Sequence, residues 1–157
     1  MPTPQAIGDQ LEIRACLYRY ARAIDTREFE RLSSVFTADA LIHYDLAGGV
    51  KLRLAEMVDW LRKSLRIFAA TQHVITNPEV ELDGDRARST CYLTGTHVQE
   101  TLAGGDSLVV EGGIYHDEHV RADAGWRIKR RTLRRIYTSG RYLGPDAVRL
   151  FEKPRGR

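Results

Sequence analysis

From residue 72 to residue 140 the chain offers four successive stretches that read as long β-strands, and each break between them is a turn signal. Gln72–Leu82 stops at Asp83-Gly84-Asp85, Arg86–Leu102 at Ala103-Gly104-Gly105-Asp106, and Ser107–Arg121 at Ala122-Asp123-Ala124-Gly125. Trp126–Gly140 ends the series before Gly144-Pro145. Glycine and aspartate at such junctions supply the backbone conformations that tight hairpins need. Strands joined this tightly run antiparallel, because a parallel return needs a crossover of a dozen or more residues. The pattern excludes a doubly wound parallel sheet.

The first seventy residues read differently. Apolar positions at Leu11, Ala15, Leu17, Tyr18, Ala21 and Ile24 predict a helix over residues 7–24. A short second helix carries Phe29, Leu32, Val35 and Phe36, with Asp25 placed to cap it and Glu28 to reach back from its first turn. Ala40–Leu46 reads as a strand, broken by Gly48-Gly49, and Leu54–Phe68 as a third helix. Helices followed by a run of hairpins make an α+β fold, one domain over residues 1–157 with its core at about residues 7–142 and a polar tail after it. Long strands of this kind curl, so the expectation is a cone-shaped, mostly antiparallel sheet wrapped around three N-terminal helices and enclosing a pocket.

The composition, 43% apolar and 29% charged, is that of a folded globular chain. No apolar run approaches a membrane span, and the N-terminal residues lack the basic flank and apolar stretch of a secretory signal. Cys16 and Cys91 stand apart, without metal-ligand spacing, which fits small core residues in a reducing cytoplasm. Between Arg127 and Arg141 lie seven basic residues and no acid. Alternation divides that charge between two faces of a strand, and no recognition helix or aromatic platform accompanies it. A solvated sheet face, or pairing with acids at a subunit interface, accounts for it better than nucleic acid does.

Two residues stand out chemically. Asp25 ends the first helix, and His73 begins a strand on the same side as Ile75. A carboxylate that fixes the tautomer of an imidazole and raises its basicity makes a proton-abstracting base near neutral pH. The bland alternative leaves Asp25 as a helix cap and His73 as a core residue. His97 shares strand parity with Leu93, and Tyr44 with Ile42, so both point to the apolar side; Tyr20 and Tyr115 are further aromatic candidates. Alternation from Trp126 and Ile128 puts Arg131 on the opposite face. His116 and His119 cannot chelate one ion from a regular strand, and no metal is expected. Gly112-Gly113 reads as a strand irregularity.

Taken in order, Tyr18-Arg19-Tyr20-Ala21-Arg22-Ala23-Ile24-Asp25, Phe29-Glu30-Arg31-Leu32, Phe36-Thr37-Ala38-Asp39-Ala40, Thr71-Gln72-His73 with Asn77, Gly113-Ile114-Tyr115-His116-Asp117 and Gly125-Trp126-Arg127-Ile128 resemble the SnoaL-like branch of the nuclear-transport-factor-2-like superfamily. The resemblance covers nearly the whole chain. Within that branch it resembles the scytalone dehydratase and hexachlorocyclohexane dehydrochlorinase families. The former matches at Asp25, Tyr44, His73 and His97, with Ile24 where those enzymes have tyrosine. The latter matches at Asp25, His73 and Arg131, with Tyr20 where those enzymes have lysine.

The resemblance implies a cofactor-independent lyase or isomerase acting on a small cyclic, largely apolar substrate. His73 and Asp25 would form the base, with His97 and Arg131 assisting and Tyr44, Tyr20 and Tyr115 binding. It also implies a homo-oligomer, a trimer in preference to a dimer, with no nucleic-acid or membrane partner. A non-catalytic ligand-binding or assembly module of the same fold is the alternative; epoxide opening or cyclisation in the same pocket is a third.

Overall fold

A computed structural model of the chain describes residues 1–45, 49–100 and 106–151. Helix α1 (Pro4–Asp25) starts where Thr3 accepts a hydrogen bond from the Ala6 N–H, with Pro4 at a position whose N–H would be unpaired anyway. Its inner stripe, Ile13, Cys16, Leu17, Tyr20, Ala23 and Ile24, is buried against the sheet. The second helix is only a 3-10 piece, Phe29–Ser34. Ser33 and Ser34 turn their hydroxyls onto the carbonyls of Glu30 and Arg31, a competition that stops a longer helix from forming.

Strand β1 (Phe36–Tyr44) is followed by a short strand, β2 (Val50–Arg53), that the sequence reading lacks, and then by helix α2 (Leu54–Leu65). Leu46 and Gly48 lie outside the described residues. The long strands are β3 (Ala70–Asp83), β4 (Arg86–Glu100), β5 (Asp106–Ala122) and β6 (Gly125–Ser139), and their bounds agree with the sequence reading to within two residues. Leu102 and most of the turn after it also lie outside the described residues.

The cone is corrected. The strand order is β2-β1-β6-β5-β4-β3, an open sheet whose end strands do not pair. It is mixed, because β1 lies parallel to β6 while every other pairing is antiparallel. Hairpin turns dictate only β3 to β6; β1 and β6 are separated in the chain by β2, α2 and strands β3 to β5, so no tight turn ties their directions together. The three expected N-terminal helical segments are present as α1, the 3-10 piece and α2, but a further helix, α3 (Pro145–Phe151), lies in the stretch taken as a polar tail. Tyr142, Ala147 and Phe151 join the core, and a side chain of the size of Phe151 contributes about 1.5–3 kcal/mol through burial.

Two register slips position side chains. Glu118 pairs with Arg130 and His119 with Ile128, so Lys129 is an extra residue between them. Such a bulge reverses the alternation beyond it. Arg131 therefore faces inward with Trp126 and Ile128, contrary to simple parity. Another slip, between Gly112 and Gly113, leaves Ile136 unpaired. The ring of Tyr137 lies over Gly112, 2.0 Å from where a Cβ would be, so a side chain at that position would push the half-exposed ring aside.

The basic run of β6 meets acids within the same chain. Lys129 pairs with Asp39, Arg130 with Glu118, Arg131 with Asp117 and Arg135 with Glu111. No helix among the described residues is long and apolar enough to cross a membrane.

Candidate active site

Asp25 closes α1 and His73 is the fourth residue of β3; packing α1 across that strand brings the two together. Asp25 Oδ1 accepts from His73 Nδ1 at 2.6 Å and from Thr71 Oγ1 at 3.1 Å. Its Oδ2 accepts from the His73 backbone N–H at 2.7 Å. An ionised carboxylate only accepts, so the ring proton sits on Nδ1 and the Nε2 lone pair is left free. Burial alone would raise the Asp25 carboxyl, but the His73 and Thr71 hydrogen bonds outweigh it and hold the group below its usual range.

A further layer supports this pair. Arg27 adopts a left-handed backbone (φ 61°) just past α1 and folds its guanidinium back. It donates to the Ile24 carbonyl at 2.8 Å and to Thr71 Oγ1 at 2.7 Å, leaving the Thr71 hydroxyl proton for Asp25. Asp25 does not cap the second helix. Glu28 occupies that position and makes no side-chain cap bond, so both carboxylate oxygens serve β3 instead.

His73 opens onto a cavity of about 50 Å³ lined also by His97, Tyr20, Tyr44, Tyr115 and Glu111, with Trp60, Leu93, Leu133 and Phe151 among its apolar walls. Ligand pockets generally enclose about 300–1,000 Å³, so a ring-sized ligand must displace lining side chains. A larger hollow, about 600 Å³, is lined by charged residues such as Arg53, Arg86, Glu118 and Arg130 and contains neither Asp25 nor His73. It belongs to the solvated part of the sheet.

The other sequence candidates divide. His97 stands edge-on to His73, with ring centroids 5.7 Å apart, and packs on Phe68 at 4.7 Å. Burial, and then the neighbouring His73, push its ring down to about 4. A ring neutral at pH 7 offers or accepts a hydrogen bond but has no extra proton for a leaving group. Tyr44 and Tyr20 share a 2.6 Å hydroxyl contact, and Tyr115 donates to Tyr20 at 3.4 Å. Burial raises Tyr44 and Tyr115 well above the ordinary phenol range, so both stay protonated.

Arg131 is inward but does not reach the cavity wall. It is fully buried, holds Asp117 through Nε at 2.8 Å and Nη2 at 2.7 Å, and lies 4.2 Å from the Tyr20 ring centre and 4.0 Å from that of Tyr115. It braces the tyrosines from behind. His116 is exposed and His119 buried, where His119 Nε2 meets Ser89 Oγ at 2.8 Å; the two do not converge. Among the described residues no three His, Cys, Asp or Glu side chains gather as metal ligands would.

The sequence reading missed Thr71 as a ligand of Asp25, Gly95 beside the two histidines, Glu111, and Phe151 on α3. Only Glu111 had a visible signal: an acid at the inward parity of Val109 and Tyr115.

An α+β fold with an inward Asp–His pair at the end of the first helix defines a class of small pocket-bearing domains. Residues 5–132 match the SnoaL-like domain, and the chain belongs to that family. It is 40% identical over 126 residues to the uncharacterised Mycobacterium tuberculosis protein Rv2910c, covering 80% of this chain and 84% of the relative. The Kfla4162 protein of Kribbella flavida superposes with a TM-score of 0.78 at 29% identity, covering 85% of this chain and 95% of that one. Two further structures share the fold at lower identity. A putative scytalone dehydratase of Novosphingobium aromaticivorans gives a TM-score of 0.75 at 21% identity, covering 96% and 95% of the two chains. The hexachlorocyclohexane dehydrochlorinase LinA-type3 of Novosphingobium barchaimii gives 0.71 at 17%, covering 88% and 97%.

Proposed function

We propose that this chain is a cofactor-independent lyase or isomerase in which His73 abstracts a carbon-bound proton from a small cyclic, largely apolar substrate. The observation that carries the reading is the 2.6 Å bond between Asp25 Oδ1 and His73 Nδ1, which leaves Nε2 as a free base beside the cavity. Asp25 orients the ring and stabilises the imidazolium formed as the proton is taken. General-base action contributes a factor of about 10²–10⁴, and positioning in an enclosed site supplies the rest. The structural likeness to a putative dehydratase and a dehydrochlorinase supports elimination as the outcome.

The tyrosine hydroxyls and His97 are neutral hydrogen-bonding groups suited to hold an oxygen on the substrate. Arg131 acts through Tyr20 and Tyr115 as a positioning residue. Exposed Val74, Tyr92, Leu108 and Ile136 on the strands support self-association. The test of the activity is a panel of cyclic β-hydroxy ketones and halocycloalkanes, followed for loss of water or hydrogen halide. Turnover that falls at least a hundredfold in His73→Gln supports the reading. Binding of panel members in the pocket with no elimination or isomerisation favours the binding module instead.

A further inference from the structure

One polar group in the cavity has no part in the dyad chemistry. Glu111 on β5 is 9% exposed and lines the cavity that holds His73. His73 pairs across the sheet with Gly95, and Gly95 with Glu111, so the three residues form one row over adjacent strands. Two strand spacings put the His73 and Glu111 backbones about 10 Å apart. Gly95 leaves the middle of that row empty: a Cβ there would lie 3.5 Å from His73 Nε2 and 3.3 Å from His97 Cε1. The row is a trough with the base on one wall and a carboxylate on the other.

Glu111 is held on one side only. Its Oε1 accepts from Arg135 Nη1 at 2.9 Å and from Thr138 Oγ1 at 3.5 Å. Arg135 Nη1 also donates to the Phe151 carbonyl at 2.6 Å, which ties this carboxylate to the end of α3. Among the described residues, Glu111 Oε2 has no hydrogen-bond partner. That oxygen is open to solvent rather than sealed in, so it is free to accept from a donor that enters the cavity.

We propose that Glu111 is the specificity residue of this pocket, its Oε2 accepting a hydrogen bond from a hydroxyl on the substrate ring while His73 Nε2 meets a ring C–H across Gly95. This rests on the dyad reading above and adds the substrate class. A carboxylate favours a hydroxylated ring, which donates a hydrogen bond to it, over a halogenated one, which has no such donor. The site is therefore one for ring alcohols and phenols and against polyhalogenated hydrocarbons.

Phenol and fluorobenzene are matched probes of similar shape, differing in the donor. Titrations followed by amide chemical shifts, including that of Gly95, give both affinities for wild type, Glu111→Gln and Glu111→Leu. Wild type is expected to bind phenol about tenfold more tightly than fluorobenzene, the worth of one hydrogen bond to a charged acceptor. In Glu111→Gln the amide oxygen stays with Arg135 and the NH₂ group turns to the trough, so the preference falls to within about twofold. Should the leucine variant fail to fold, the glutamine variant and the wild-type probe pair decide alone. Equal affinities in wild type mean that water satisfies Oε2 and overturn the proposal. So do a preference retained in Glu111→Gln and an absence of phenol binding at millimolar concentration. The readout is equilibrium binding rather than turnover, so failure of the Glu111 contact is told apart from failure of proton abstraction by His73.

Discussion

Replacing Asp25 with asparagine separates the roles of its two oxygens. The carboxylate accepts three hydrogen bonds, two on Oδ1 and one on Oδ2. Asparagine has one acceptor oxygen. With that oxygen in the Oδ1 place, the His73 ring and Thr71 keep their bonds, but the NH₂ group faces the His73 backbone N–H, donor against donor. With the oxygen in the Oδ2 place, the backbone is satisfied and NH₂ points at Nδ1. The ring then switches to the Nε2–H tautomer and its cavity-facing lone pair is lost. Either way one part-buried donor goes unpaired, a cost of about 1–3 kcal/mol. The Asp25 side chain is 22% exposed, so water relieves part of this and about 1–2 kcal/mol is expected. Urea unfolding measures the stability, and long-range nitrogen-15 correlation spectra read the His73 tautomer. A variant as stable as wild type with an unchanged tautomer would refute the three-bond arrangement.

Other perturbations test the surroundings. His97 and His119 are both pushed down to about 4 by burial, so between pH 6.5 and about 4 the unfolded chain binds protons that the folded one refuses. Stability therefore falls as pH is lowered through that window, by up to about 3 kcal/mol per ring, and urea midpoints for wild type and His97→Asn should diverge there. Phe151→Ala enlarges the cavity and should cost about 3 kcal/mol while admitting larger rings, as calorimetry and ligand-observed NMR would show. Arg131→Met strands the buried Asp117 carboxylate and should cost about 3–5 kcal/mol by denaturant titration; adding Asp117→Leu should recover most of it.

Much of this architecture was legible in the sequence because it is written locally. Gly84, Gly125 and the aspartates beside them mark the hairpins, and alternation through Ile42, Ile75 and Leu93 gave the inward faces of Tyr44, His73 and His97 correctly. What failed depends on distant contacts. The parallel β1–β6 pairing and the open sheet join strands about eighty residues apart in the chain, which no local period encodes. Arg131 defied parity because an extra residue, Lys129, enters the ladder, and nothing in Lys129-Arg130 signals a bulge. Asp25 looked like a cap because Glu28 follows at the right spacing, yet its oxygens are claimed by a strand 48 residues away. The end of the chain looked polar, but Ala147 and Phe151, four apart on α3, and Tyr142 just before that helix are core residues.

The central claim is that His73 removes a proton from carbon. Cyclohexanone has acidic C–H bonds beside its carbonyl and no leaving group, so it isolates that step. Incubated with the protein in deuterium oxide and followed by NMR, it should take up deuterium at those carbons faster than in buffer, and the excess should vanish in His73→Gln. Uptake at the buffer rate for ketone shown to occupy the pocket, or uptake unchanged by His73→Gln, would contradict it.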